Sequence, residues 1–303
     1  MIDYVKILVL STDIQRLKNL NKLTFFREIS ESTGEYANKI VAEYHHCKIT
    51  IFDSGIILFS GSIHKMHNSL NNIIAPNYKT QKSYKGYNGN QFKLVNILHV
   101  RIHLENLFDC KPHQMKFQNI EFGVNTEPFF KSNKFIKGLL YHNGVKFDYK
   151  YEYNYAESKH QQYRFKIYNK GNQYGMNTNT LRIELSFNRM KEVNGFGIST
   201  FADVNIENLA KAKQELLRRF DEIVYYDYTV NKKSLPSALR KKLIAYSNPR
   251  YWLVTLKSNH RDREKKKLKQ IINDYSDNLQ SQLRQEVIDK CVIINQLSKS
   301  RNV

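Results

Sequence analysis

Cysteine is scarce in this 303-residue chain, with Cys47, Cys110 and Cys291 scattered and odd in number. No Cys-x-x-Cys spacing occurs, so neither a disulfide framework nor a cysteine-based zinc site is indicated. Proline is rare as well, five residues in all, and no low-complexity linker or internal repeat marks a hinge. No apolar run reaches the ~18 residues that a membrane span needs. The first residues, Met1 to Leu10, are apolar but carry Asp3 and Lys6 without a basic leader or small-residue cleavage site. They read as a strand, not a signal peptide. A reduced, cytoplasmic protein is the simplest expectation. Acidic residues are the last shortage: 28 Asp and Glu face 48 Lys and Arg, giving a net charge of +20.

That surplus suits a polyanionic partner, and nucleic acid is the first candidate. Abundant Lys, Asn, Ile and Tyr is also what an AT-rich genome encodes, so charge alone does not decide the matter. A membrane-surface role lacks the strongly apolar amphipathic helix it would need. The hydrophobic fraction of 41% is enough for a proper core.

Periodicity places strands at Tyr4 to Leu10, Lys116 to Asn125, Tyr163 to Asn169 and Leu181 to Phe187. A hairpin is expected over Lys39 to Ile51 and Gly55 to Ile63, with Asp53-Ser54-Gly55 as its turn. Between Pro76 and Asn90 a polar loop interleaves Tyr78, Tyr84 and Tyr87 with Lys79, Lys82 and Lys85, a pattern on which bases could stack. Phe92 to Phe108 has helical spacing, with Asn90 as its expected cap and Leu94, Val95, Leu98, Ile102 and Leu107 near one face. Its His99 and His103 stand at i and i+4 without the glutamate of a zinc-peptidase motif, and read as ordinary helix residues. From Asn205 the pattern turns helical, with Leu209, Ala212, Leu216 and Phe220 on one face. Ser247-Asn248-Pro249 signals a further helix start, leading into Arg261, Arg263 and the run Lys265, Lys266, Lys267. The expected fold class is α+β, an antiparallel sheet with packed helices over residues 1–205, followed by a helical domain over 206–303 that grips DNA.

Chemistry is suggested by Tyr163-Arg164-Phe165-Lys166-Ile167-Tyr168-Asn169-Lys170 and the following Arg182-Ile183-Glu184. Two neighbouring strands of this kind set tyrosine, lysine and carboxylate around one spot. A tyrosine near a metal-holding carboxylate is suited to attack a phosphodiester and keep the 5′ end as a phosphotyrosine. Such a nick also asks for a hard cation, and magnesium or manganese takes oxygen ligands. Glu121 and Asn125 share one strand face across a glycine gap, and Glu184 sits mid-strand. Each carboxylate has a structural alternative, Glu184 in a salt bridge with Lys166 or Arg182. His64 reads equally well as a plain strand-end histidine.

Taken in order, Met1-Ile2-Asp3, Ser60-Gly61-Ser62-Ile63-His64-Lys65, Ile120-Glu121-Phe122-Gly123-Val124-Asn125, Ile167-Tyr168-Asn169-Lys170, Leu181-Arg182-Ile183-Glu184 and Gly195-Phe196-Gly197-Ile198 resemble the gene II/X family of phage and plasmid replication proteins. These are rolling-circle initiators of filamentous phages and their bacterial relatives. The resemblance implies site-specific nicking of one DNA strand, covalent attachment through tyrosine and resealing after a round of synthesis. It implies a bacterial host cytoplasm, a replication origin as substrate, single-stranded or supercoiled, and host helicase and polymerase as partners. Tyr168 matches the nucleophile, with Tyr163 and Tyr174 as fallbacks. Lys170 would stabilise the phosphate or lower a phenol pKa that is otherwise ~10. Glu121, Glu184 and His64 would hold Mg2+ or Mn2+. Lys65, Asn125, Arg164, Lys166 and Arg182 would contact DNA, together with Arg261, Arg263, Lys265, Lys266 and Lys267. The His-x-His of many rolling-circle nucleases is missing, and His64-Lys-Met-His67 has the wrong spacing to replace it. A non-enzymatic nucleic-acid-binding protein, or a transposase or relaxase with the same tyrosine chemistry, are the competing expectations.

Overall fold

A computed structural model describes residues 1–77 and 85–295. Tyr78, Lys79, Lys82 and Tyr84 of the tyrosine loop lie outside the described residues. The chain begins with β1 (Ile2–Val9), α1 (Ile14–Lys18), β2 (Lys39–Tyr44), β3 (Cys47–Phe52), β4 (Ile57–Ser62), α2 (Ile63–Leu70), α3 (Leu94–Phe108) and the long β5 (Met115–Thr126). Next come α4 (Ser132–Lys137), β6 (Leu139–His142), β7 (Val145–Lys146), β8 (Asp148–Lys150), β9 (Tyr155–Lys159), β10 (Tyr163–Asn169), α5 (Lys170–Gln173) and β11 (Leu181–Phe187). It continues through α6 (Lys191–Gly195), α7 (Ile206–Asp221), β12 (Ile223–Tyr225), α8 (Ser237–Tyr246), α9 (Arg261–Tyr275) and α10 (Leu279–Asn295). The fold class is α+β, with antiparallel strands and packed helices.

Two compact units share the chain unequally: Met1–Gly123 with Ser186–Gln214 and the chain from Cys291, and Val124–Leu185 with Glu215–Lys290. The division expected at residue 205 falls inside the first unit. A change from strand to helix periodicity occurs there, but no linker does. The same region is not wholly helical either, because β12 interrupts it and pairs with β6.

In the first unit the strands run β2-β3-β4-β1-β5, each antiparallel to its neighbours. Strand β1 buries Val5, Ile7 and Val9 and exposes Lys6 between them, the period-two pattern of a sheet with one face covered. The stretch Lys39 to Ile51 is two strands, not one. His45 and His46 adopt positive φ (46° and 64°) and form a two-residue turn between them. Ser62 caps α2 by accepting from the Lys65 N–H at 3.1 Å, which puts His64 on a helix instead of a strand end. Helix α2 packs on β1 and α3. Helix α3 starts after Lys93, whose N–H donates to Asn96 Oδ1 at 2.9 Å, so Asn90 is not its cap. Its buried face is Leu94, Ile97, Val100, Leu104 and Leu107, whereas Ile102 is exposed. The expected stripe lay a step around the helix from the true one.

In the second unit strands follow the order β11-β10-β9-β8, and β12-β6-β7 form a separate small sheet. Strand β10 buries Tyr163, Phe165 and Ile167 and leaves Arg164, Lys166 and Tyr168 on its other face. Strand β11 is buried along its whole length. A core of Leu140, Val224, Leu243, Tyr246, Trp252, Leu268 and Ile272 joins β6 and β12 to α8 and α9. The proline at 249 does not open one long helix. Tyr251–Thr255 form a short π-helical turn that buries Trp252, whose Nε1 donates to the Tyr246 carbonyl at 2.9 Å, and α9 starts only at Arg261.

Candidate active site

The polar face of β10 and the buried strand β11, with Lys170 from α5 and Asn125 from β5, bring six sequence-predicted residues together. Glu184 lies at the centre, 1% exposed. Lys166 Nζ donates to its Oε1 at 2.9 Å, and Arg182 Nε donates to its Oε2 at 2.6 Å. Burial alone would raise the carboxyl pKa, but the charges of Lys166 and Arg182 outweigh it and hold the group well below the usual carboxylate range. Arg182 extends the network by donating from Nη1 to Asn125 Oδ1 at 3.0 Å.

The Tyr168 hydroxyl donates to Glu184 Oε2 at 3.4 Å and accepts from Lys170 Nζ at 3.4 Å. Lys170 is buried, and its ammonium lies 5.0 Å from the Tyr168 ring centre and 5.3 Å from that of Tyr174. Its position follows from local structure. Asn169 ends β10 and caps α5 by accepting from the Asn172 N–H at 2.9 Å, so the chain turns and Lys170 points back along the strand's polar face. Gly171 fits this turn because a Cβ there would come within 2.3 Å of the Thr178 carbonyl oxygen.

Strand β9 supplies the neighbours. Register sets Tyr155 opposite Tyr168 and Glu157 opposite Lys166. The Tyr155 and Tyr168 rings lie 5.6 Å apart, and the Tyr155 hydroxyl donates to Glu157 Oε2 at 3.1 Å. Glu157 is a second buried carboxylate, bridged to Lys150 at 3.0 Å and Lys159 at 3.4 Å. Burial opposes its ionisation, yet these cations and the Tyr155 hydroxyl keep it below the ordinary value. Burial also raises the Tyr155 phenol, as does Glu157. Beside Tyr155 and Tyr168 a cavity of about 520 Å³ opens, lined by Tyr151, Asn154, Tyr155, Lys166, Tyr168, Asn169, Asn172 and Gln173.

A rolling circle replication initiator protein from Geobacillus stearothermophilus is similar in structure. The identity is 10% and the TM-score 0.36, over 82% of this chain and 96% of that one. No protein-family model matches the chain, nor does any curated protein. At that identity and score the similarity bears on no residue, and the site rests on its own geometry.

Glu121 is on β5 in the first unit, half-buried. His64 is buried, stacked on Phe92 at 4.5 Å and hydrogen-bonded through Nε2 to Asn90 Oδ1 at 2.7 Å. Lys65 donates to the Lys85 carbonyl at 2.7 Å, and burial lowers its pKa against the opposing pull of Asp3. Among the described residues no group of three or more His, Cys, Asp or Glu side chains is placed to hold a metal. Of the fallback tyrosines, Tyr174 is buried at Lys170, while Tyr163 is on the opposite, buried face of β10 and its hydroxyl accepts from Arg219 Nη1 at 2.8 Å. Arg164 is half-buried opposite Lys159. Tyr87 is buried, so its ring offers no stacking surface.

The basic run of α9 is partly structural. Glu264 is buried there, accepting from the Tyr246 hydroxyl at 2.6 Å and Lys267 at 2.9 Å, with Lys242 at 3.2 Å and Arg263 at 3.5 Å. Burial would raise its pKa, but these partners lower it to about 2. Arg261 donates to the Leu253 carbonyl, Lys265 meets Asp262 and the Tyr141 ring, and Lys266 is exposed.

Proposed function

We propose that this chain nicks and rejoins one strand of DNA through Tyr168, as the initiator of rolling-circle replication of a phage or plasmid. The observation that carries the reading is the Tyr168 hydroxyl held at 3.4 Å from both the Lys170 ammonium and the Glu184 carboxylate, at the edge of a 520 Å³ cavity. A phenol needs its oxyanion stabilised to react near neutral pH, and a buried ammonium within contact distance supplies that stabilisation. Glu184 is held ionised by two cations and is therefore a weak base. It orients the hydroxyl, and the phenolic proton leaves to solvent.

In the forward step the Tyr168 oxygen bonds to phosphorus and the P–O3′ bond breaks. The departing 3′ oxygen takes a proton, and the 5′ end remains as a phosphotyrosine. Resealing reverses each change, with the 3′-hydroxyl as nucleophile and tyrosine as leaving group. Lys166 and Lys170 offer positive charge to the phosphate through both steps, and the exposed cations of α9, Lys266 among them, add affinity for the backbone.

A divalent cation, Mg2+ or Mn2+, belongs to the proposal, with Glu121 as the carboxylate offered to it. Glu184 and His64, held by Lys166 and Arg182 and by Asn90, do not fit as ready ligands. No helix among the described residues is long and apolar enough to cross a membrane. The test is covalent capture: protein incubated with single-stranded oligonucleotides tiled across its own replicon is denatured in detergent and the linked peptide mapped. Attachment at Tyr168 supports the reading. Binding without attachment anywhere would leave a non-enzymatic nucleic-acid-binding protein.

A further inference from the structure

The cavity beside Tyr168 has features that the strand-transfer chemistry does not use. Its volume of about 520 Å³ is far larger than a phosphate requires and falls within the size of small-molecule sites. Three of its eight lining residues are tyrosines, and two more, Asn172 and Gln173, present exposed side-chain amides. Tyr155 and Tyr168 stand 5.6 Å apart, and Tyr151 meets Tyr155 edge-on at 6.3 Å.

Tyr151 owes its place to an unusual turn. Tyr151, Glu152 and Tyr153, between β8 and β9, all adopt positive φ (53°, 52° and 63°). Non-glycine residues rarely enter that region, and three in succession cost energy that the surroundings must offset. The offset is visible. Asn154 donates from both its backbone N–H and its Nδ2 to the Tyr151 carbonyl at 2.9 Å, and its Oδ1 accepts from Asn169 Nδ2 at 3.0 Å. The turn is thereby tied to the residue that follows Tyr168. Yet Tyr151 itself is 75% exposed, a ring held in place at the cavity wall with little protein covering it.

We propose that this cavity takes one unstacked base of the single-stranded DNA on which Tyr168 acts. The inference rests on the nicking reading for its choice of strand. Aromatic rings stack any base, the amides of Asn172 and Gln173 meet its polar edge, and Lys166 faces the adjoining phosphate. A duplex base is inaccessible to such a cavity, so the site selects single strand over double strand. Holding a neighbouring base also fixes the scissile phosphate relative to the hydroxyl, which is worth more to the rate than affinity alone.

The experiment compares binding of fluorescein-labelled dT20 with that of a 20-mer of abasic residues, in the full chain and in Tyr151→Ala. The unchanged chain is expected to prefer dT20. Tyr151→Ala is expected to lose about tenfold on dT20, as removal of a stacking ring does, while its affinity for the abasic strand stays the same. Tyr151→Phe should restore the preference. Equal loss on both strands, or no loss on either, would overturn the inference. So would displacement of dT20 by free thymidine monophosphate at matching concentrations, which would make the ligand a free nucleotide. Covalent capture is run in parallel: no adduct with a Tyr151-dependent preference intact would sink the nicking reading alone, and an adduct without that preference would sink the base site alone.

Discussion

Glu184 accepts from Lys166, Arg182 and Tyr168, so its removal is felt by all three. Glu184→Gln keeps the shape but removes the negative charge that buried Arg182 and Lys166 meet there. Breaking a buried pair in this way typically costs about 3–5 kcal/mol. We expect a clear drop in melting temperature and denaturant midpoint for this variant, together with loss of nicking. Unchanged stability would mean that the pair is not the anchor of the site. Glu121→Gln tests the metal part of the reading: nicking in saturating magnesium, then manganese, is expected to fail. Full activity in Glu121→Gln would remove that residue from the proposal.

The turn from β10 through α5 to β11 decides where Lys170 points. Gly171→Ala would drive a Cβ into the Thr178 carbonyl and crowd the Thr180 N–H at 3.1 Å. Backbone must shift to admit it, at about 1–3 kcal/mol, and Lys170 moves with it. Thermal melting and adduct yield should both fall, and a variant indistinguishable from the parent would show that the turn does not position the lysine. Strands β10 and β11 are legible in the sequence because apolar and polar residues alternate in both, Tyr163-Arg-Phe-Lys-Ile167 in one and Leu181-Arg-Ile-Glu-Leu185 in the other. The salt bridge expected for Glu184 with Lys166 or Arg182 forms with both, Lys166 reaching it from the adjacent strand and Arg182 from two residues back on its own. Glu157 is not legible, because the pairing of β9 with β10 is a long-range choice that no local pattern announces. Local pattern sets His64 at a strand end, because the capping role of Ser62 competes with strand propensity only once the chain has turned.

The chain passes between its two compact units four times, at residues 123, 185, 214 and 290. Truncation near residue 205 therefore removes Glu215–Lys290 from the second unit, including β12, the partner of β6, and the core residues Val224, Trp252 and Leu268. Such a fragment is expected to lose cooperative unfolding, and a cooperative melt from it would contradict the interleaved division. A change of periodicity at residue 205 was visible in the sequence, but contacts between distant segments, which define the units, were not. Acid stability offers a second test on the whole chain. His142 is fully buried, 2.9 Å from His160 and 3.3 Å from Glu222, and burial, with the charges of His160 and Arg219, lowers its pKa to about 3. Unfolded, it takes a proton near its ordinary 6.5, so between pH 6.5 and 3 the unfolded chain binds more protons and stability falls as pH falls. His160 is lowered as well and adds in the same sense. Melting temperature should drop between pH 6.5 and 5, above the range in which Glu157, Glu184 and Glu264 take up protons, and His142→Gln should flatten that slope. A flat profile in the parent would mean that the imidazole is not held neutral.

The most direct measurement is covalent capture by the Tyr168→Phe variant. The change removes one hydroxyl and leaves a ring that still pairs across β9 and packs beside Tyr155. Single-strand binding should persist, detergent-stable protein–DNA adduct should vanish, and supercoiled substrate should stay supercoiled, whereas Tyr163→Phe and Tyr174→Phe should retain the adduct. An adduct of undiminished yield in Tyr168→Phe would contradict Tyr168 as nucleophile and move the chemistry to another of the twenty tyrosines.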